Sequence, residues 1–145
     1  MNTTHATEFR VGNLFRFIST DSIEQVADIR TAGIKTPTIN NVLIDDIEPI
    51  PLNEDWLVRF GFENEIIKPS TKHGSYFSKH YTDCKYSFSF AEFRNDWGFY
   101  HSYTDAGNEE DNNRFDFVSC GIKYVHQLQN LYFALTGTEL TLTDK

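Results

Sequence analysis

Only two cysteines, Cys84 and Cys120, occur in the 145 residues, and neither belongs to a C-x-x-C pair. Two are too few for a disulfide-stapled scaffold, and their spacing offers no paired zinc ligands. The 8 glycines are isolated, so no glycine-rich phosphate loop is present. A G-x-S-x-G elbow and an H-E-x-x-H pair are both missing, which removes the commonest hydrolase signatures. Basic charge is also scarce: 13 Lys and Arg face 21 Asp and Glu, for a formal net charge of -8. That balance repels phosphate backbones and anionic membrane surfaces, so neither nucleic acid nor membrane is expected as a direct partner. No apolar run approaches the roughly 18 residues that a membrane helix needs. The opening MNTTHATEFR is polar and shows no charged-then-apolar leader. These absences lead to the expectation of a soluble cytoplasmic protein that is not an enzyme and takes no cofactor or metal.

What is plentiful is aromatic surface, with 13 Phe, 7 Tyr and 2 Trp in a chain that is 39% hydrophobic. Such a chain buries enough to fold, and its length suits a single domain over 1–145, with sub-lobes at 8–62 and 63–145 as the natural subdivision. The stretches FRVGNLFRFI (9–18), IEQVADIRTAG (23–33) and TINNVLIDDIEPI (38–50) carry aromatic, β-branched or weakly alternating patterns. They predict an N-terminal antiparallel β-meander, with an SH3-like curl as one form it could take. In PLNEDWLVRFGF, Asn53 is placed to cap a short helix, Glu54 and Asp55 fill its first turn, and Gly61 can end it. Trp56, Leu57 and Phe60 then share a face that should bury.

The second half reads as strands again. GSYFSKHY, CKYSFSFAEF, WGFYHSY and RFDFVS are separated by turn-like or polar pieces, the longest being DAGNEEDNNR at 105–114. Cys84, Tyr86, Phe88 and Phe90 alternate with small and polar residues, and Trp97, Phe99, His101 and Tyr103 alternate with Gly98, Tyr100 and Ser102. An aromatic antiparallel sheet covered on one face by the C-terminal helix is the expected result, and the fold class is α+β. At about 100° per residue, Tyr124, Val125, Leu128, Leu131, Tyr132 and Leu135 form the apolar face of that helix, which Gly137 ends. Lys123, Gln127 and Asn130 lie opposite, in water by default. Ile122, His126, Gln129 and Phe133 make a flank of mixed polarity, read either as a helix edge or as a groove wall.

IKYVHQLQNLYFALTGTEL (122–140), with RVGNLF near the start and IEPIPLNEDWLVRFGF at 47–62, resembles the signature of a small family from phages and prophages of Bacteroidetes-type bacteria. No catalytic or ligand residues are assigned to that family, so none is carried over. The resemblance implies a phage accessory protein working in the host bacterial cytoplasm.

Loose clusters add little chemistry. His73, His80 and Cys84 lack the tight paired spacing of zinc ligands, and the carboxylate pairs Asp45–Asp46 and Glu109–Glu110 fall in turns or loops, as solvated charge does. A binding role has more to draw on. Arg94, Trp97, Tyr100 and His101, with Arg114 after the acidic loop, combine stacking faces with cations for phosphate, and Trp, Tyr and Arg also anchor protein interfaces. With His126, Gln129 and Phe133 they form the candidate binding residues. The expected function is counteraction of a bacterial defence system by binding, either sequestering a small nucleotide signal or occluding a defence protein. The alternative is a phage structural or housekeeping interaction protein. A homo-oligomer through the last helix is a further option.

Overall fold

A computed structural model describes residues 8–31, 33–66, 75–80, 87–93, 96–103 and 114–143. The architecture is α+β, built from antiparallel strands and two α-helices, and no barrel closes among the described residues. The chain divides into two compact units. One comprises residues 1–52 with 123–141, and the other 53–122 with 142–145. This partition crosses the sub-lobes read from sequence, because the last helix joins the N-terminal strands and the short capped helix joins the second unit. The return is made by backbone bonds, with Leu52 N–H donating to the Lys123 carbonyl and Val125 N–H to the Ile50 carbonyl, each at 2.9 Å.

In the first unit, β1 (Leu14–Phe17) is flanked by β2 (Ser22–Gln25) and β5 (Ile47–Glu48), both antiparallel to it. A separate hairpin joins β3 (Asp28–Arg30) to β4 (Gly33–Lys35). Phe15, Val26, Ile34, Val42 and Ile47 pack with Phe9 as the core on one side of β1. At Gly33 the hairpin runs so close to the neighbouring chain that a Cβ there would overlap the Val42 carbonyl oxygen. The β-branched run at 38–50 yields less strand than its composition suggests. Val42 makes a single bridge to Ile34, Ile44–Asp46 forms a 3-10 turn, and only Ile47–Glu48 pairs with β1. The paired aspartates at 45 and 46 favour a turn, and Pro49 and Pro51 end the ladder.

The second unit opens with α1 (Glu54–Arg59), whose N-terminus is capped by Asn53 Oδ1 accepting from Trp56 N–H at 3.2 Å. Its C-terminus has the paired Schellman bonds, Phe62 N–H to Leu57 C=O at 3.0 Å and Gly61 N–H to Val58 C=O at 2.9 Å. Gly61 takes the left-handed conformation this needs, with φ 78°. Trp56, Leu57 and Phe60 are buried, as their spacing predicts. A five-stranded antiparallel meander follows: β6 (Glu63–Ile66), β7 (Ser75–His80), β8 (Ser87–Phe93), β9 (Asp96–Tyr103) and β10 (Arg114–Ile122), paired in that order. β6 was not legible as a strand because ENEI is half acidic, which suits a sheet edge that must resist further pairing. The register sets Phe77, Phe90, Phe99 and Val118 in one row across four strands. β10 continues past the predicted Ser119 to Ile122 through a register shift that includes Gly121. Cys84, Tyr86, His5 and His73 lie outside the described residues.

α2 (Val125–Thr136) closes the first unit and ends at Gly137, whose N–H bonds to the Phe133 carbonyl at 2.8 Å. α2 packs on β1, and its side chains bond the segment before that strand.

Candidate functional site

Val125, Leu128 and Tyr132 of α2 are buried as the helical spacing requires, yet the buried sector does not stop there. His126 is 0% exposed and Gln129 2%, whereas Leu135, assigned to the apolar face, is 56% exposed. The helix is therefore rotated toward its mixed flank. The cause is the chain itself, because residues 8–14 run along that flank and meet its polar side chains.

Gln129 carries the closest fit. Its Oε1 accepts the Leu14 N–H at 2.9 Å, and its Nε2 donates to the Gly12 and Leu140 carbonyls, each at 3.2 Å. One amide thus satisfies backbone groups at the entry to β1 and in the segment after α2. His126 Nε2 lies 3.2 Å from Glu8 Oε2, within hydrogen-bond reach, and an ionised carboxylate there accepts from the tautomer that is protonated at Nε2. The imidazole sits between two rings, with Phe9 at 4.4 Å and Tyr124 stacked at 5.8 Å. Phe133 is 39% exposed and lies beneath the Arg10 guanidinium, 4.0 Å from the ring centroid. Arg10 also pairs with Glu139.

Two residues assigned to water are instead part of the same clasp. Gln127 Nε2 donates to Glu8 Oε2 at 3.0 Å, while its Oε1 accepts from the backbone of Lys123 at 2.9 Å and Tyr124 at 3.3 Å. Asn130 Nδ2 donates to the Glu8 carbonyl at 2.8 Å, and its Oδ1 receives Arg10 at 3.4 Å. Lys123 remains exposed. The sequence reading missed Glu8, Arg10 and Glu139 altogether, since no periodicity or spacing links residues more than 100 apart. A groove wall on this flank would have to release donors and acceptors already engaged. Each such bond is worth about 1 kcal/mol net, and more where it leaves a buried group bare.

The remaining candidates belong to the second unit. Trp97, Tyr100 and His101 stand on β9, and Arg114 opens β10 opposite Tyr103. Trp97 pairs with Glu92 on one side and Ile122 on the other, Tyr100 with Ser89 and Phe117, and His101 with Asp116. Regular pairing with β8 keeps the strand alternation, so positions 97 and 101 share a face and position 100 has the opposite one. Arg94 lies outside the described residues. The structure therefore divides the seven described candidates between two units and brings His126, Gln129 and Phe133 together on the flank of α2 that meets residues 8–14.

The charge pattern is equally informative. Each arginine whose side chain is described is engaged: Arg10 with Glu139, Arg16 with Asp21 and Glu48, Arg30 with Asp28, and Arg59 over the Trp56 ring at 4.1 Å. Among the described residues no group of three or more His, Cys, Asp or Glu gathers as metal ligands would. No helix there is long and apolar enough to cross a membrane. No protein-family model, curated protein or solved structure matches this chain.

Proposed function

We propose that this chain is a non-enzymatic phage accessory protein that acts in the host bacterial cytoplasm and counteracts a defence system by occluding a defence protein. The phage setting comes from the resemblance of its three signature segments. The protein-directed mode is supported by the commitment of Arg10, Arg16, Arg30 and Arg59 to acids or an aromatic ring. At those four arginines an anionic nucleotide would have to compete with partners already in place, in a chain whose net charge is -8. Apolar side chains such as Ile18 and Leu43, by contrast, face outward and suit a protein interface.

The test is expression of the protein beside a panel of bacterial defence systems, with phage plating as the readout. Restored plating on one defended host, together with co-purification of a component of that system, is the expected result. Thermal stabilisation by cyclic nucleotides or ADP-ribose derivatives would instead establish nucleotide sequestration, because a ligand of the folded state raises its stability. Unchanged plating on every defended host would leave the structural or housekeeping role.

A further inference from the structure

The face of the N-terminal sheet turned away from the core is unusual for an exposed surface. Register sets Ile23, Arg16 and Glu48 in one row across β2, β1 and β5. Just past the end of β1, two residues on from Arg16, Ile18 begins the turn into β2, and its N–H donates to the Asp46 carbonyl at 2.9 Å. Asp46 N–H in turn bonds the Leu43 carbonyl at 3.0 Å, so the turn Leu43–Asp46 adjoins Ile18. α2 meets this strand at the buried Leu14 end, where Gln129 takes the Leu14 N–H, and the Ile18 end is left open. Exposure is 54% at Ile18, 52% at Leu43, and 43% at both Ile23 and Ile44. Single exposed aliphatics are ordinary, but four on adjoining segments form a patch.

Acids surround it. Arg16 is bridged to Asp21 at 3.4 Å and to Glu48 at 3.2 Å, which leaves no spare cation on the row. Asp45 and Asp46 are exposed and have no ion-pair partner among the described residues. A second copy of this chain would bring the same acids against these, so self-association is electrostatically disfavoured. A partner with Lys or Arg around an apolar centre would match both features, with the aliphatic centre supplying affinity and the rim charges supplying register and association rate.

We propose that the outer face formed by Ile18, Ile23, Leu43 and Ile44, rimmed by Asp45 and Asp46, docks on a basic-edged apolar surface of a partner protein. The assignment rests on the protein-directed reading above and names the surface that would perform the occlusion.

Two experiments on the full chain test it separately from that reading. The first titrates isotope-labelled protein with peptides of about eight residues, a strand's length, alternating Leu with Lys, with Glu or with Ser. Expected are shifts confined to residues around 16–23 and 43–48 with the Leu/Lys peptide. Binding should weaken about tenfold in Ile18→Ser/Ile23→Ser and in Asp45→Lys/Asp46→Lys, and should stay unchanged in the α1 control Glu54→Gln/Asp55→Gln. Circular dichroism confirms that each variant is folded. Shifts elsewhere, equal binding of the Leu/Ser peptide, or equal weakening by the control would overturn the assignment. So would dimerisation in sedimentation that Ile18→Ser/Ile23→Ser abolishes, since the occupant would then be a second copy. The second experiment places the same variants in the plating assay. If wild type protects phage and both patch variants do not, the surface is supported. If all protect equally, the surface is wrong while the anti-defence reading stands. If wild type itself never protects, that reading fails, and the peptide titration alone decides the surface.

Discussion

α1 and α2 differ in how their polar side chains find partners. The turns that start and end α1 are set within its own sequence neighbourhood, by the Asn53 cap three residues before Trp56 and the Phe62 N–H returning to Leu57, and its distant polar bonds are those of the Thr143 N–H and hydroxyl to the Arg59 carbonyl. α2 is held along its flank by partners such as Leu14, Gly12 and Glu8, which lie 115 to 122 residues away in sequence. Local contacts form as soon as the helix forms, whereas the distant ones require a loop of nearly the whole chain to close first. A polar residue on α1 therefore advertises its role in the adjacent residues, while one on α2 resembles a ligand-binding side chain until its partner is known.

The hardest test of that contrast is Gln129→Leu. The substitution keeps approximate volume but leaves the Leu14 N–H and the Leu140 carbonyl without their amide partner, while the half-buried Gly12 carbonyl keeps the Gln25 amide at 3.0 Å. Each of these two buried groups costs about 1–3 kcal/mol when bare, and with partial relaxation the total should be about 2–5 kcal/mol in urea unfolding. Exchange protection of the Leu14 amide should vanish as well. A loss under about 1 kcal/mol would mean that the clasp is not what holds residues 12–14 to the helix.

A smaller effect is expected one turn earlier. Glu8→Gln and His126→Asn combined in a double-mutant cycle should give a coupling energy of about 1–2 kcal/mol, because both changes disturb the 3.2 Å contact, while the loss at the Gln127–Glu8 bond belongs to Glu8→Gln alone and cancels in the cycle. Strict additivity would reduce the pair to coincidental proximity. His126 packed against Phe9 makes the isolated His126 substitution costlier than the pair's own coupling.

The same division explains how far the sequence could be read. The cap at Asn53, the turn at Gly61 and the end at Gly137 were all visible, since each depends on residues within one helical turn. The alternation of β8 and β9 was visible too, and it matches the observed register of Phe90 with Phe99. His126 and Gln129 stood out correctly as unusual polar residues, but the sequence had no means of naming Glu8 or Leu14 as their partners. Gln127 and Asn130 were assigned to solvent because a helical wheel knows nothing of a strand approaching from the other end of the chain. β6 escaped notice because pairing with β7, not composition, makes ENEI a strand.

Changes at α1 should be milder and confined. Asn53→Ala removes one cap bond and should cost about 1 kcal/mol, and Gly61→Ala forces a side chain into φ 78° at a similar cost of about 1 kcal/mol. Hydrogen exchange should quicken at the Trp56 and Phe62 amides in these variants, without faster exchange at Leu14. Faster exchange at Leu14 as well would show that the caps of α1 matter to the α2 clasp and that the two helices are not held independently.

The smallest effect should come from an exposed ion pair within a strand. Arg30 Nε donates to Asp28 Oδ2 at 3.0 Å, and that side-chain hydrogen bond holds the Asp28 carboxyl below its ordinary value of 3.8. A carboxyl depressed in the folded chain contributes stability above its unfolded pKa and loses it as pH falls through the folded value. Asp28→Asn should therefore differ from wild type only slightly at neutral pH, and the difference should close in acid below about pH 4. Thermal melts from neutral to acidic pH check this. Because both side chains are half-exposed and only two residues apart, salt should shrink the difference. A loss at neutral pH as large as that of Asn53→Ala would show that β3 relies on the pair, and that sequence-adjacent charge can matter here as much as a helix cap.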